Sequence, residues 1–242
     1  MIVVRLKTIV RAVGTLIVCL CILLFGSIVF HRKPATRQAL SVFAQDEYQL
    51  LLDAGHGGLD GGAVSPNGVS EADINLAITL KTQTLLRFVG ISGDLTRTDG
   101  QSLNYNPDAS ARENKNADLN ARLALSKERP ELDFLSIHLN KFEQEKYYGS
   151  QVFYSPNTER SKQLAQCLQD NLRLVLDKDN DRRIKLAPDS VMLMKNINSP
   201  AVTIECGFLS NVREEALLQQ DTYQTKIAIA IANGYIQYLE SK

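Results

Sequence analysis

The sequence predicts an α/β fold in which a mostly parallel, twisted sheet is flanked by helices. Apolar strand-like segments alternate with helix-like segments along most of the chain, and this alternation is typical of a parallel sheet covered by helices. Three of the apolar segments also end on or beside chemically useful residues, His56, His138 and Glu205. Because the carboxyl ends of parallel strands form the crevice where ligands bind, these residues are expected to meet there.

The first strand is predicted at 48–53, which is a short, mostly apolar run. The first helix follows Ser70, a residue type common at helix N-caps, and runs to about Phe88 with Ile74 and Ile78 on one face. The later elements are predicted from the same signals. Strands show alternation or a short apolar run, and helices show apolar residues with a 3.6-residue period. In chain order they are a strand at 93–97, a helix at 113–128, strands at 133–138 and 149–154, a helix at 159–176, strands at 191–194 and 201–205, and helices at 212–219 and 222–239.

The composition fits one ordinary globular domain with a short appendage. The chain has 242 residues, of which 44% are hydrophobic and 22% charged. Lysine plus arginine and aspartate plus glutamate balance at 27 each, so no net field favours a polyanion. Nucleic-acid binding is therefore not expected.

The appendage, residues 1–30, is predicted to be one N-terminal transmembrane helix that anchors the protein. Its apolar run at 12–30 has no charged residue and, at about 1.5 Å per residue, could span roughly 30 Å of hydrocarbon. Basic residues follow this run directly, whereas a cleaved signal peptide has a small-residue cleavage site close behind a shorter core. Cleavage after Ala44 stays an alternative. Polar residues 31–46 are predicted to be a linker, and residues 47–242 the folded domain.

A glycine-rich segment, Gly55–Gly62, follows the first predicted strand. It does not fit a dinucleotide-binding loop, because the third glycine of that motif would fall on Asp60. It does not fit a lipase-type loop either, because the sequence has no GxSxG segment to supply a nucleophilic serine. The remaining role is a tight loop that brings backbone against a ligand while it presents His56.

The histidines narrow the choice of a metal site. The chain has three, and His31 lies at the boundary of the apolar run, so a two-histidine site has to use His56 and His138. Zinc in hydrolytic sites commonly takes two histidines and one carboxylate and leaves the fourth position to water. Glu71 is the preferred carboxylate, although at the start of a helix it could instead serve the helix dipole. Three further oxygen ligands compete with it and cannot be ranked by spacing, namely Asp53, Asp60 and Asp73.

Five ordered motifs carry a resemblance to a known family. They are Leu52–Gly58, Glu71 opening a helix, Thr96–Asp99, Ser136–Asn140 and Glu205–Asn211. In this order they resemble the motifs of zinc-dependent N-acetylmuramoyl-L-alanine amidases, and the resemblance covers the chain from about Tyr48 to its end. The hydrophobic N-terminus and the stretch Tyr148–Tyr154 are most similar to the spore-cortex, germination-specific amidases of endospore-forming bacteria.

The resemblance implies a phosphorylase/hydrolase-like fold, a zinc ion held by His56, Glu71 and His138, and Glu205 as the catalytic glutamate. The implied reaction is hydrolysis of the amide between N-acetylmuramic acid and L-alanine in peptidoglycan. Zinc would polarise the carbonyl and activate water, and Glu205 would transfer the proton.

The resemblance also implies a biological setting. The protein would act outside the cytoplasm, anchored or secreted, in the bacterial cell envelope or the space between the forespore membranes. Its task would be cell-wall or spore-cortex remodelling, including muramic-lactam formation. The expected partners are peptidoglycan, the membrane through the N-terminal segment, and an accessory protein.

Two other functions stay open from the sequence. The domain could be a catalytically silent peptidoglycan-binding or partner-regulated module. It could also be a zinc carboxypeptidase acting on stem peptides, which uses a similar ligand set. A carboxypeptidase usually needs a cationic clamp for a terminal carboxylate, and Arg97 and Arg122 are the candidates for that role.

Overall fold

The computed structural model describes residues 48–241, and within this range six strands form one mixed sheet flanked by helices. The strand order across the sheet is β2-β1-β3-β6-β4-β5. The elements in chain order are β1 (Tyr48–Ala54), α1 (Glu71–Phe88), β2 (Ser92–Leu95), α2 (Ala111–Glu128), β3 (Asp133–Asn140), β4 (Gln151–Tyr154), α3 (Glu159–Leu176), β5 (Lys185–Leu186), α4 (Met192–Asn196), β6 (Ala201–Phe208), α5 (Val212–Leu218) and α6 (Asp221–Glu240).

The sheet register aligns the ends of its central strands. Strand β3 pairs in parallel with β1 on one side and with β6 on the other, and β4 runs antiparallel to β6. In this register His138 lies opposite Glu205, and Glu205 lies opposite Gln151. Residues in register on neighbouring strands point to the same face of a sheet. The pairing therefore brings the carboxyl-terminal parts of β3 and β6 next to the start of β4.

Apolar burial holds the helices to this sheet. Leu50, Leu52 and Leu135 are fully buried in the central strands, and burying a leucine side chain contributes about 1.5–3 kcal/mol. On another part of the sheet Phe134 belongs to a buried cluster with residues of α4, against which apolar side chains of α2 pack. Helices α3 and α6 approach closely at Gly234, where a Cβ would lie 2.8 Å from the Cα of Leu168.

The N-terminus of α2 is capped by a side chain, as its sequence favours, whereas the N-terminus of α1 is not. Ser110 and Glu113 form a complete capping box at the start of α2, each side chain accepting a backbone N–H of the other residue. Ser70 stands at the N-cap of α1 but makes no side-chain cap, because its hydroxyl donates to the carbonyl of Gly61 instead. The start of α1 is therefore tied to the preceding glycine-rich loop.

The predicted α/β architecture is confirmed, but one local prediction was wrong and one short strand was missed. The segment 191–194 was expected to be a strand, but Met192–Asn196 forms helix α4 with Leu193 and Met194 buried. The short strand Lys185–Leu186 was not predicted. A single turn of helix and a two-residue strand are both too short to show a period in sequence.

The segments predicted as membrane anchor (1–30) and linker (31–46) lie outside the described residues. Between residues 48 and 241, none of the helices has the length and apolar character needed to cross a membrane.

Candidate metal centre

Three side chains from separate elements converge at the carboxyl-terminal ends of the central strands. His56 comes from the loop after β1, Glu71 is the first residue of α1, and His138 lies near the end of β3. Their potential ligand atoms all lie within 4.8 Å of one another. Nε2 of His56 is 3.4 Å from Oε1 of Glu71, and Nδ1 of His138 is 3.0 Å from the same oxygen. Two imidazole nitrogens and one carboxylate oxygen are a donor set that suits zinc.

The glycine-rich loop can present His56 because its backbone turns tightly. His56 itself has a φ of 63°, in the left-handed region, and such a non-glycine residue costs about 1–3 kcal/mol unless its surroundings hold it. Gly62 leaves the space that the site needs, since a Cβ there would lie 2.6 Å from both Oε2 of Glu71 and Cδ2 of His56. The loop is thus shaped around the two side chains.

Backbone and amide donors fix the Glu71 carboxylate. Its Oε1 accepts from the N–H of Leu139 at 3.0 Å and from the side-chain amide of Asn75 at 3.2 Å, and its Oε2 accepts from the N–H of Ala63 at 2.7 Å. Burial acts to raise the pKa of Glu71, but hydrogen bonds to His138 and His56 and their charges outweigh burial and hold that pKa well below its usual range. The group is therefore an ionised oxygen donor.

Asp60 orients His56 from the far side of the ring. Its carboxylate lies 3.1 Å from Nδ1 of His56, and it also contacts Nζ of Lys115 at 3.2 Å. Burial acts to lower the pKa of His56, but the carboxylates of Asp60 and Glu71 outweigh burial and raise the pKa to about 9. A carboxylate on the second ring nitrogen is the usual partner of a metal-binding histidine, and it fixes which nitrogen faces the ion.

Glu205 lies beside this cluster and has a buried carboxylate oxygen without a hydrogen-bond partner in the described part of the chain. It faces His138 across the β3–β6 pair, and the unpartnered oxygen is Oε2. Burial raises the pKa of Glu205 to about 7, the charge of Glu71 adds to the rise, and His138 and His56 oppose it. An unpartnered carboxyl group with a pKa near neutrality is typical of a group that transfers protons.

The other candidate carboxylates are used or placed elsewhere. Asp53 is fully buried and accepts from Arg122, from Thr96 at 2.8 Å and from Ser136 at 2.5 Å, so its oxygens are occupied. Asp60 holds the outer nitrogen of His56. Asp73 is exposed in the first turn of α1 and is not part of the cluster.

Two arginines that the sequence offered as carboxylate clamps hold the glycine-rich loop instead. Arg122 is 1% exposed and donates to the carbonyls of Ala54 at 2.8 Å and His56 at 2.7 Å. Arg97, also buried, donates to the carbonyls of Ala54 at 2.9 Å and Gly55 at 3.2 Å. Sequence reasoning missed this role. One signal existed, since Asp118 precedes Arg122 by one helical turn and pairs with it.

Comparison with protein families and curated proteins agrees with this geometry. Residues 50–237 match the Amidase_3 family model, described as N-acetylmuramoyl-L-alanine amidase. The germination-specific N-acetylmuramoyl-L-alanine amidase of Bacillus subtilis is 33% identical over 193 residues, which cover 80% of each chain. The amidase AmiA of Salmonella typhimurium is 28% identical over 250 residues, which cover 86% of this chain and 80% of AmiA.

Solved structures show the same similarity. The CwlD amidase of Clostridioides difficile, solved in complex with the GerS lipoprotein, is 45% identical with a TM-score of 0.77, over 81% of this chain and 100% of that one. An N-acetylmuramoyl-L-alanine amidase of Clostridium difficile 630 is 28% identical with a TM-score of 0.70, over 82% of this chain and 100% of that one. The chain therefore belongs to the Amidase_3 family and is an N-acetylmuramoyl-L-alanine amidase, a hydrolase of peptidoglycan.

Proposed function

We propose that this amidase depends on a zinc ion held by His56, Glu71 and His138, and that Glu205 is its catalytic acid–base. The observation that supports the proposal is the convergence of two imidazoles and one ionised carboxylate within 4.8 Å. Hydrolytic zinc sites use three protein ligands, whereas structural sites use four. Among the described residues the cluster consists of three, and Glu205 lies next to it on β6.

The chemistry of the donor atoms supports a metal at this place. Glu71 is anionic although it is buried, and the rings of His56 and His138 meet edge-on with their centroids 4.9 Å apart. Asp60 holds the outer nitrogen of His56, which leaves Nε2 directed at the cluster. The residues present therefore fit a divalent ion that prefers nitrogen and oxygen ligands.

The reaction follows from what Glu205 can do. When bound, zinc supplies a Lewis acid that polarises the scissile carbonyl and lowers the pKa of water toward neutrality. Glu205 accepts the proton of the attacking water as the new C–O bond forms, and it then donates that proton to the nitrogen of L-alanine as the C–N bond breaks. A pKa near 7 suits both steps, because the group can exist in either form at neutral pH.

Two variants test the ligand and base assignments separately. In the full chain with added zinc, Glu205→Gln is expected to retain one zinc per chain and to lose roughly 10²–10⁴-fold in turnover. His138→Ala is expected to lose zinc itself. Peptidoglycan digestion followed by mass spectrometry measures turnover, and metal analysis measures zinc. The exposed Glu128 on α2 supplies a control, Glu128→Gln, which should change neither. Near-normal turnover of Glu205→Gln, or stoichiometric zinc in His138→Ala, would refute the corresponding assignment.

We also propose the setting in which the enzyme works. Residues 1–30 would anchor it in the membrane, 31–46 would form a linker, and 47–242 would act in the cell envelope or the forespore intermembrane space. The germination-specific name of the Bacillus subtilis relative supports a role in spore-cortex remodelling. The GerS complex of the Clostridioides difficile relative supports an accessory protein as partner. Membrane fractionation of the full chain and of a version lacking 1–30 tests the anchor, since only the full chain should pellet with membranes.

The carboxypeptidase alternative is less well supported by the site. The arginines that it would need as a clamp, Arg97 and Arg122, are buried and already donate to backbone carbonyls of the loop. Product analysis separates the alternatives. The amidase releases stem peptides that begin with L-alanine, a carboxypeptidase releases a C-terminal amino acid, and a silent binding module releases neither.

A further inference from the structure

A groove of about 780 Å³ lies along the β4–β5 side of the sheet, and its lining includes Asn140, two residues after His138. Its lining also includes Gln151 of β4, the aromatic pair Phe142 and Tyr147 in the loop after β3, and the cations Arg182 and Lys185. The groove lies next to the candidate site, because Gln151 of its lining pairs in register with Glu205. Its volume lies in the range of sites that bind small ligands.

The charge of this groove is predominantly positive. Lys141, Arg182 and Lys185 line it against one acid, Glu143. Between residues 48 and 241, no carboxylate lies within 4.0 Å of the charged groups of Arg182 or Lys185. The groove thus presents cations whose charge is not neutralised by a close ion pair in this part of the chain.

Arg182 is held in place by a carbonyl, an amide and an aromatic ring, none of which carries a charge. Its Nε donates to the carbonyl of Tyr148 at 2.6 Å, its Nη1 donates to Oε1 of Gln151 at 3.1 Å, and its guanidinium lies 4.6 Å from the ring centre of Phe208. The neighbouring acid Glu214 interacts with the charge of Arg182 without a close ion pair, and its oxygens accept the backbone N–H groups of Gly149 and Phe208. A fixed arginine loses little entropy when it pairs with a carboxylate, so this geometry favours anion binding.

A smaller cavity beside Asp60 has a different charge. It measures about 140 Å³ and is lined by Asp60, Lys115 and Asp118 among others. Lys115 is already paired with Asp60, and Asp118 with Arg122. Lys115, the one cation that lines this cavity, is therefore matched by a carboxylate, and the cavity offers no surplus positive charge.

We propose that the groove binds the stem peptide of the substrate and that Arg182 and Lys185 pair with the carboxylates of this peptide. The glycan and the stem peptide, which are joined by the scissile amide, differ in charge. The glycan is neutral there, because the lactyl carboxyl group of muramic acid is consumed in the amide, whereas stem peptides carry free carboxylates on acidic residues and at the C-terminus. The inference rests on the amidase activity and assigns the direction in which the substrate crosses the site.

The test uses Lys185, which is exposed and bonded to the sheet through its backbone alone. Two probes are compared with the full chain: a stem peptide beginning with L-alanine whose carboxylates are free, and the same peptide with every carboxylate amidated. Calorimetry is expected to show tighter binding of the free-acid peptide by tenfold or more. Lys185→Glu should abolish this preference, Lys185→Arg should keep it, and Arg182→Gln should reduce it. The exposed Lys226 on α6 supplies a charge-matched control, Lys226→Glu, which should behave as the wild type.

Kinetics on matched muropeptide substrates supply a second measurement. Lys185→Glu is expected to raise KM for the free-acid substrate by about tenfold, to leave kcat within about twofold, and to leave both constants unchanged for the amidated substrate. Equal affinity of the wild type for both peptides, or an equal loss of affinity for both peptides in Lys185→Glu, would overturn the groove assignment. Because the binding measurement needs no turnover, it remains decisive even if the zinc and Glu205 assignments fail.

Discussion

Gly55 lies directly against the imidazole of His138. A Cβ built on Gly55 would stand 2.7 Å from Nδ1 of that ring, and still closer to two of its other atoms. The backbone of the glycine-rich loop and the end of β3 therefore touch at the candidate metal centre, and the absence of a side chain at Gly55 leaves room for the His138 ring.

Gly55→Ala is expected to displace His138 and to lower zinc affinity by tenfold or more, since a ligand shifted by a fraction of an ångström loses its coordination geometry. Metal titration with a competing chelator measures the change. Gly100→Ala is the matched control, because a Cβ at Gly100 has no atom within 4 Å. Unchanged zinc affinity in Gly55→Ala with retained circular dichroism would contradict the expectation.

Arg122→Ala is expected to lower the free energy of unfolding by about 3–5 kcal/mol, because it leaves the buried Asp53 carboxylate unpaired. Lys81→Ala removes the more exposed ion pair with Asp221 and should cost at most about 1 kcal/mol. Chemical denaturation of both zinc-free variants measures the difference. Similar losses of unfolding free energy in the two variants would show that the buried ion pair stabilises the fold no more than the exposed one.

The predictable parts of this protein are those that leave a local pattern. Long amphipathic helices and apolar strands show their period. His56, which follows β1, and His138, near the end of β3, could be named because histidine is rare in the chain. The rest depends on tertiary packing. The antiparallel β4 pairs with β6 although no local residue specifies its direction, and α4 is a single buried turn.

The supporting residues of the site could not be assigned for the same reason. Arg122 and Asp53 are 69 residues apart, so nothing local indicates that they pair. Asp60 was recognised as a possible oxygen ligand, but its contact with Nδ1 of His56 depends on the left-handed backbone of that histidine. Arg182 gave no signal, because its contacts with Tyr148 and Gln151 arise between distant loops and strands.

Zinc binding is expected to release about one proton from His56 at pH 7. The pKa of His56 is about 9, so its ring is protonated in the zinc-free protein at pH 7, and the metal can take only the neutral ring. Apparent zinc affinity should rise by up to about tenfold per pH unit up to about pH 9. Calorimetry in buffers of different ionisation enthalpy counts the released protons. An affinity independent of pH in this window would refute the prediction.

The same histidine should make the stability of the zinc-free protein depend on pH. The folded-state pKa of His56 is raised from 6.5 to about 9, so its interactions stabilise the fold fully below pH 6.5. This contribution is lost as the pH rises toward 9, because the unfolded chain then binds fewer protons than the folded one. Thermal unfolding in chelator should show the midpoint falling across this window, and Lys81→Ala should show the same fall as the wild type because it leaves His56 intact. A constant midpoint would contradict the shift.

Asp60→Asn is expected to weaken zinc binding by about 10–100-fold, because it removes the carboxylate that orients His56 through Nδ1. The variant also removes one of the carboxylates that raise the pKa of His56, so zinc binding at pH 7 should release fewer protons than in the wild type. Asp73→Asn, which changes an exposed carboxylate in the first turn of α1, is the matched control and should alter neither quantity. A loss of affinity with unchanged proton release would mean that Asp60 supports the fold of the loop and not the protonation state of His56.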